Sequence, residues 1–352
     1  MPTFERLLVL APNWLGDAIM ALPALADVRR ARPDAHLSVA ARRSVAPLFD
    51  AVPGVDAVEP LELRGGLRVL PGLGAAARRL GAGRYDVALL LPNSFAAAWL
   101  VRRAGIPERW GYGGDMRDRL LTRVVPRPRD VRLHQAEYYQ RLATALGFPA
   151  GPRRAVLHVN DAVRQRGAAV LQAAGWRGEP LVGVAPGAAY GAAKRWIPAR
   201  VGELAARLIR EHDAAVVVVG AAADRATAAE VVRAAGVHGS PHLLDMVGRT
   251  SLTELIGVLA HCRAFVSNDS GAMHLAAALD VPVTAIFGPT REWATSPLPG
   301  AAGRDAVVVR TDVSCRPCML RTCPIDHRCM TRIGVDDVLP SVQAHLRGST
   351  GR

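Results

Sequence analysis

Lysine is almost absent from this chain of 352 residues. Its 44 basic residues comprise 43 arginines and a single lysine, Lys194. A skew of this kind is typical of a compositional drift that replaces surface lysines by arginines. A position that keeps lysine is then expected to need a compact ammonium rather than a planar guanidinium. Lys194 is therefore a candidate functional residue on composition alone.

Long apolar runs are absent as well. The longest candidate, residues 87–101, is interrupted by Pro92 and falls short of the roughly 20 apolar residues that a membrane-spanning helix needs. Near the start of the chain, Glu5 and Pro12 break the pattern of a signal peptide. Half of the residues are apolar and 21% are charged, so the composition excludes a mainly disordered chain. We expect a cytoplasmic protein without a transmembrane segment.

Two common nucleotide-binding motifs are missing. The loop at residues 12–17 contains only Gly16 where a dinucleotide-binding domain has G-x-G-x-x-G, and residues 186–196 lack the spacing of a Walker A motif. Aromatic residues make up 5% of the chain, which provides little for stacking on bases. These absences disfavour an NAD-dependent enzyme and a protein that binds nucleic acid.

The net charge of +13 has two interpretations that the sequence leaves open. One is a solvated arginine-rich surface, and the other is attraction to a polyanion such as an anionic membrane face or a phosphorylated substrate. One cluster of arginines in the first half of the chain consists of Arg117, Arg119, Arg123, Arg127, Arg129 and Arg132.

Short apolar runs alternate with alanine-rich helical stretches along the chain. Continuous runs such as residues 216–219 are typical of parallel strands that are buried on both faces. Helices are predicted between them, for example over residues 18–30, 161–174 and 198–210. The alternation predicts an α/β fold with parallel sheets. The predicted strands are residues 6–11, 36–40, 86–91, 181–185, 215–220, 264–267 and 283–287.

The alternation starts twice, at residue 6 and again at residue 181. We therefore expect two domains, residues 1–170 and residues 171–352. In open parallel sheets, ligands bind beyond the carboxyl ends of the strands. The loops at residues 12–17, 186–194 and 268–271 are then expected to line a cleft.

Each of these loops has a structural and a functional interpretation. Asp17 is either the N-cap of the first helix or a carboxylate that acts as a base. The glycine-containing loop that ends at Lys194 is either an ordinary connection or a phosphate site. The segment Asn268–Gly271 is either a plain helix cap or an anion site, in which Asp269 accepts hydrogen bonds from sugar hydroxyls.

A cysteine-rich segment near the C-terminus contains His327 as well as four thiols. Its spacing, C-x2-C-x4-C-x5-C, provides enough ligands for a structural metal site, although it is not that of a standard zinc finger. Reduced thiols and a redox-sensitive disulfide are the alternatives. The four residues are Cys315, Cys318, Cys323 and Cys329.

Five motifs occur in the order in which a known family has them. Together, from residue 6 to about residue 290, they resemble the ADP-heptose:lipopolysaccharide heptosyltransferases, most of all the type II enzymes. The motifs are residues 13–17 (NWLGD), 91–95 (LPNSF), 105–107 (GIP), 186–188 with 193–196 (PGA, AKRW), and 268–271 with residue 274 (NDSG, H).

The resemblance implies a GT-B architecture, in which two Rossmann-like domains with parallel sheets face a central cleft. The N-terminal domain would bind the acceptor and the C-terminal domain the nucleotide sugar. The implied activity is an inverting transfer of L-glycero-D-manno-heptose from ADP-heptose to the first heptose of the lipopolysaccharide inner core. The acceptor would be Kdo–lipid A at the cytoplasmic face of the inner membrane. The alternative is a related glycosyltransferase with a different core acceptor.

The resemblance also implies roles for individual residues. Asp17 would be the base, and Lys194 would neutralise the charge of the departing ADP, so that catalysis requires no metal. Asn93, Ser94 and Arg117 would contact the acceptor. The donor would be bound by Gly187, Ala188, Lys194, Asp269, Ser270, Gly271 and His274.

Overall fold

The computed structural model describes residues 4–62, 69–130, 132–237 and 239–348. Its contacts divide the chain into two compact units, Met1–His158 and Val159–Arg352. Each unit contains a sheet of six parallel strands with helices between the strands. The α/β fold class with two parallel sheets is therefore confirmed.

The first unit has the strand order β3-β2-β1-β4-β5-β6. Its strands are β1 (Arg6–Leu10), β2 (His36–Arg42), β3 (Ala57–Leu61), β4 (Val87–Leu90), β5 (Glu108–Tyr112) and β6 (Arg123–Val125). Its helices are α1 (Leu15–Met20), α2 (Leu22–Ala31), α3 (Val69–Ala82), α4 (Phe95–Arg103) and α5 (Gln135–Ala145).

The second unit has the strand order β12-β11-β10-β7-β8-β9. Its strands are β7 (Leu181–Ala185), β8 (Ala215–Val218), β9 (Leu243–Asp245), β10 (Cys262–Asn268), β11 (Val283–Phe287) and β12 (Val307–Arg310). Its helices are α6 (Asp161–Ala173), α7 (Pro198–His212), α8 (Arg225–Ala235), α9 (Leu252–Leu259), α10 (Gly271–Ala278), α11 (Glu292–Thr295), α12 (Arg328–Thr331) and α13 (Leu339–Gly348).

The central strands are covered on both faces, as their continuous apolar sequences indicate. Every residue of β8 is fully buried, and Leu8 and Val9 of β1 are fully buried as well. The strands that the sequence does not predict are β3, β5, β6, β9 and β12. β6 and β9 have only three residues each, and β3 and β5 contain charged residues, so these four lack the continuous apolar run that marks β8. β12 does contain an apolar run, but it is the edge strand of its sheet, and its first and last residues are exposed.

The first predicted helix is two helices in the structure. Residues 18–30 were expected to form one helix, but α1 ends at Met20 and α2 begins at Leu22. Pro23 lies in the first turn of α2, where its missing N–H group costs no hydrogen bond. Because α1 begins at Leu15, Asp17 lies inside the helix, and Trp14 occupies the N-cap position.

None of the helices in the described part of the chain is long and apolar enough to cross a membrane.

Candidate functional site

In the second unit, three loops meet at the carboxyl edge of the sheet. The strand β10 pairs with β7 on one side and with β11 on the other, so the segments that follow these strands are neighbours. The segment after β7 carries Lys194, the segment after β10 carries Asp269, and the segment after β11 carries Thr290. The ammonium Nζ of Lys194 lies 2.6 Å from Oδ2 of Asp269. The same carboxylate oxygen accepts a hydrogen bond of 2.7 Å from the Thr290 hydroxyl.

Lys194 is paired with a carboxylate but remains partly accessible to solvent. The Asp269 side chain is 5% exposed, whereas the Lys194 side chain retains 13% exposure. The ammonium also lies 4.9 Å from the centroid of the Tyr190 ring, a distance that permits a cation–π interaction. An ammonium has three N–H donors, so Lys194 can keep its carboxylate partner while it binds an anion that enters from solvent.

The loop that leads to Lys194 is fixed at both ends by one buried side chain. The Nδ2 group of Asn268 donates to the carbonyl of Pro186 at 2.8 Å, and its Oδ1 accepts from the backbone N–H of Trp196 at 2.9 Å. Within the loop, a Cβ on Gly187 would lie 2.3 Å from the carboxyl carbon of Asp224. A side chain at this position would therefore require the Asp224 carboxylate to move.

The start of α10 lies beside this loop. Ser270 is its N-cap residue, but the Ser270 side chain makes no capping bond. Its hydroxyl instead lies 2.9 Å from the hydroxyl of Ser267. The first N–H groups of a helix favour a negatively charged group. Because Gly271 adds no side chain there, the backbone can approach an anion closely.

The residues predicted to bind the donor therefore lie on adjacent loops of one sheet edge. Gly187 and Ala188 are buried in the loop after β7, and His274 is buried in α10 with 3% exposure. Their contacts with a donor stay predictions. Two members of the site were not assigned a role from the sequence, namely Asn268 and Thr290. Asn268 lies within the quoted NDSG motif, whereas Thr290 carries no motif and is found only because β11 neighbours β10.

In the first unit, Asp17 lies in the first turn of α1, just beyond the carboxyl end of β1. It is half-buried. Burial raises the pKa of the Tyr139 phenol, and the negative charge of Asp17 adds to that rise. The interpretation of Asp17 as the helix N-cap is wrong because Trp14 occupies that position. Its function as a base stays a prediction.

Arg117 is fully buried, with 0% exposure. Its Nε donates to the carbonyl of Tyr112 at 2.8 Å, its Nη1 donates to the carbonyl of Pro92, and its Nη2 lies 3.2 Å from Oδ1 of Asn93. The expectation that Arg117 belongs to an exposed basic cluster is therefore wrong. The guanidinium contacts Asn93 instead, and Asn93 donates in turn to the Tyr138 hydroxyl at 2.8 Å.

The other arginines of this cluster lie closer to solvent. Arg123 is half-buried, with its guanidinium 5.5 Å from the Trp110 ring centroid, and Arg127 pairs with Asp115. The exposed members are Arg119, Arg127, Arg129 and Arg132.

A cavity of about 160 Å³ opens beside Ser94 at the carboxyl ends of β1, β2 and β4. Its lining is mostly apolar, with polar groups from Asn13, Arg42 and Ser94. The Nε of Arg42 donates to Oδ1 of Asn13 at 2.8 Å. The Ser94 hydroxyl also caps α4 by accepting from the N–H of Ala97. Arg42 was not selected from the sequence because no motif surrounds it.

The four clustered thiols differ in exposure. Cys315 and Cys318 are exposed, Cys323 is half-buried, and Cys329 is buried. Burial raises the pKa of the Cys329 thiol to about 11, and the nearby charges of the other three sulfurs add to that rise. Among the described residues, no group of three or more His, Cys, Asp or Glu side chains is arranged to hold a metal ion. The metal interpretation stays a prediction without geometric support.

Comparison with known proteins gives one consistent match. Residues 73–328 match the model of glycosyltransferase family 9, the heptosyltransferase family. The chain is 33% identical over 309 residues to lipopolysaccharide heptosyltransferase 2 of Salmonella typhimurium, with 83% of this chain and 85% of the relative covered. It is also 33% identical over 300 residues to the Escherichia coli protein of the same name, with the same coverage.

A solved structure extends the likeness to the fold. The structure of E. coli ADP-heptose lipopolysaccharide heptosyltransferase II superposes with a TM-score of 0.81 at 30% identity, and the match covers 97% of this chain and 99% of that one.

Proposed function

The chain belongs to glycosyltransferase family 9, the heptosyltransferases, and we propose that it transfers L-glycero-D-manno-heptose from ADP-heptose to the lipopolysaccharide inner core. The family match confirms the expected glycosyltransferase activity and the two-sheet GT-B fold class. The acceptor that we propose is the first heptose on Kdo–lipid A, since both relatives quoted above are named heptosyltransferase 2.

The observation that carries the donor assignment is the ion pair between Lys194 and Asp269. The single lysine of the chain is held at 2.6 Å on a carboxylate beside the open start of α10. In this arrangement Lys194 and the helix N–H groups bind the diphosphate of ADP-heptose. They stabilise it more strongly as negative charge accumulates on the leaving ADP. Asp269, through its remaining acceptor capacity, orients the heptose hydroxyls.

The reaction is a displacement with inversion. An acceptor hydroxyl oxygen forms a bond to the anomeric carbon while the bond from that carbon to the diphosphate oxygen breaks. The hydroxyl proton passes to the Asp17 carboxylate, and ADP leaves with the bonding electron pair. A carboxylate can act as the base here because it need accept the proton only as the new bond forms. Lys194 and the start of α10 supply the positive charge, so this mechanism assigns no role to a metal ion.

On the acceptor side, Asn93 and Ser94 are proposed to bind sugar hydroxyls. Arg117 acts through Asn93, because its donors are committed to Tyr112, Pro92 and Asn93. The exposed arginines that follow attract the phosphates and carboxylates of the acceptor and of an anionic membrane surface, an attraction that salt weakens. We propose that the protein acts at the cytoplasmic face of the inner membrane as a peripheral protein.

The test is turnover with ADP-heptose and a series of truncated core acceptors. An acceptor that ends in the first heptose should be the best substrate, and ADP should raise the melting temperature while UDP and NAD should not. Transfer to Kdo–lipid A that lacks heptose, with none to the heptose-containing acceptor, would show that the proposed acceptor is wrong and that the protein adds the first heptose instead. No transfer from ADP-heptose to any of them would contradict the proposal.

A further inference from the structure

The cysteine-rich segment lies against the loop that carries Lys194. We call residues 315–333 the cysteine strap. The backbone N–H of Ala193 donates to the carbonyl of Arg321 at 3.0 Å, and Nε2 of His327 donates to the carbonyl of Ala193 at 2.7 Å. The strap therefore binds Ala193 through both of its backbone groups.

The second of these bonds acts directly on the lysine. The Ala193 carbonyl and the Lys194 N–H belong to one peptide group, which is planar and rigid. A hydrogen bond from His327 to that carbonyl therefore restricts the orientation of the backbone from which the Lys194 side chain extends. The neighbouring Tyr190, whose ring lies beside the ammonium, donates through its hydroxyl to the carbonyl of Met319 at 2.7 Å.

The strap also contacts the loop after β11, which carries Thr290. The Nε of Arg316 donates to the carbonyl of Gly288 at 2.6 Å, and its Nη2 lies 2.7 Å from a carboxylate oxygen of Glu292. The backbone N–H of Met319 donates to the carbonyl of Pro289 at 3.0 Å. One segment thus connects two of the three loops that form the Lys194–Asp269–Thr290 network.

The far end of the strap is anchored in the core. Cys329 and Met330 are 6% and 0% exposed, and they belong to the hydrophobic cluster of the second sheet. The carbonyl of Ile333 accepts from the indole N–H of Trp196 at 2.9 Å. The C-terminal end of the strap is therefore fixed in the core of the second unit.

Backbone conformation points to the same contacts. Met319 and His327 have φ angles of +57° and +54°, a left-handed conformation that is uncommon for residues other than glycine, although histidine adopts it more often than most. These two residues make the bonds to Tyr190 and Ala193. The Sγ of Cys323 accepts from the His327 N–H at 3.3 Å and so helps to hold the conformation. Strain of this kind persists only where the surroundings impose it.

We propose that the cysteine strap positions Lys194 for the donor, and that His327 is its main positioning residue. This inference rests on the proposed function, since it takes the Lys194 loop as the donor diphosphate site. The strap does not touch the reacting atoms. It fixes the peptide group before Lys194 and the ring beside the ammonium, and both would otherwise move with the loop.

The test replaces His327 by glycine and by glutamine. His327→Gly removes the imidazole but favours the left-handed backbone, so the variant should fold and keep its melting temperature. Loss of one hydrogen bond should raise the Kd of ADP and the KM of ADP-heptose about threefold to tenfold. The KM of the acceptor should not change. His327→Gln keeps an N–H donor at nearly the same reach and should restore most of the ADP affinity.

Asp213→Gly is the matched control. Asp213 is also a left-handed residue of the second unit, at the end of α7, and its replacement should leave the ADP affinity unchanged. A second variant tests the contact from the loop side. A Cβ on Gly191 would lie 2.3 Å from the carbonyl oxygen of Arg321, so Gly191→Ala should also weaken ADP binding. Combined with His327→Gly, it should add less than its separate effect because both disturb one contact.

The outcomes separate this inference from the proposed function. If the wild-type protein neither binds ADP nor uses ADP-heptose, the proposed function is wrong, and the inference falls with it. If the wild-type protein is active but His327→Gly keeps wild-type ADP affinity and donor KM, only the positioning function of the strap is wrong. An equal rise in the donor and acceptor KM values, or a loss of ADP affinity that glutamine does not restore, would also overturn it.

Discussion

The two units share one strand order but carry different loops at the carboxyl ends of their strands, which we call the first edge in the first unit and the second edge in the second unit. In the first unit the order is β3-β2-β1-β4-β5-β6, and read in the same sense the second is β9-β8-β7-β10-β11-β12. In each, the first and fourth strands of the unit are neighbours, and the chain leaves them in opposite directions across the sheet. Ligands of open parallel sheets bind at such switch points. The proposed base and the proposed cation follow the equivalent strands β1 and β7.

The loops at these two switch points differ in length and in cover. After β1 the chain enters α1 within a few residues, and Trp14 in this turn is 64% exposed. After β7 the chain runs from Pro186 to Ile197 before α7 begins, and the cysteine strap contacts this long loop. The first edge presents a half-buried carboxylate and a cavity, whereas the second holds a cation in a network of hydrogen bonds.

This difference shows what the shared topology determines and what it does not. Topology determines where a ligand can bind, but the residues of the loops determine the chemistry. A base needs to reach a hydroxyl proton and little more. A group that stabilises a leaving diphosphate works best when its position is fixed before the reaction. The additional supports of the second edge fit this requirement.

The largest effect is expected at the first edge. Asp17→Asn keeps the shape of the side chain but removes the proton acceptor, so kcat should fall about 10²–10⁴-fold while ADP affinity remains. The measurement is steady-state turnover with the heptose-containing acceptor, together with calorimetric titration of ADP. Asp34→Asn, at an exposed aspartate of the same unit, is the control and should be fully active. A near-normal kcat for Asp17→Asn would show that Asp17 is not the base of the reaction.

The second prediction concerns the fixed cation. Lys194→Ala should lower kcat about 10²–10³-fold, since one preorganised donor to the developing charge is lost. It should also lower the free energy of unfolding by about 1–3 kcal/mol because it leaves the Asp269 carboxylate buried beside Thr290 alone. Lys194→Arg should restore activity only in part, since a planar guanidinium does not fit the site of a compact ammonium.

A double variant separates the two effects of Lys194. Adding Asp269→Asn to Lys194→Ala should recover part of the free energy of unfolding but no activity. The control is Arg43→Ala, which breaks an ion pair whose side chains are 78% and 61% exposed and should change stability little. Wild-type ADP affinity and kcat in both Lys194 variants would show that the second edge does not hold the cation of the reaction.

The sequence predicts the parts of this comparison that depend on local pattern. The buried strands β1, β7 and β8 are continuous apolar runs, and the loops that follow them lie where parallel strands place them. Lys194 stands out by composition, and the NDSG motif indicates the start of α10. These features are readable because each is contained in a short stretch of chain.

The features that were missed depend on contacts between distant segments. The bond from Thr290 to Asp269 joins residues 21 positions apart, and the bond from His327 to Ala193 joins residues 134 positions apart. Arg117 was grouped with the arginines that follow it in the sequence, and arginines are mostly exposed. Its partners are carbonyl groups and one amide oxygen, which composition and spacing do not reveal.

The smallest effect concerns the cysteine strap at the second edge. It can be measured by thiol labelling because all five cysteines lie in the second unit. Only the thiolate is an effective nucleophile. Burial raises the pKa of Cys329 to about 11 and that of Cys262 to about 12. At pH 8 a thiol with a pKa of 11 is ionised in only about one molecule in a thousand.

In the folded protein, iodoacetamide at pH 8 should therefore label the exposed Cys315 and Cys318 first and the half-buried Cys323 more slowly. Cys329 and Cys262 should be labelled only after guanidinium unfolds the chain, as mass spectrometry of peptides can follow. Because Cys329 lies in the core at the C-terminal end of the strap, its protection reports whether this end of the strap is anchored. ADP should slow labelling of Cys323, whose sulfur accepts from the His327 N–H, and should not affect Cys262. Labelling of Cys329 at the rate of Cys315 would mean that the strap is not anchored, and the second edge would then lack the support that distinguishes it from the first.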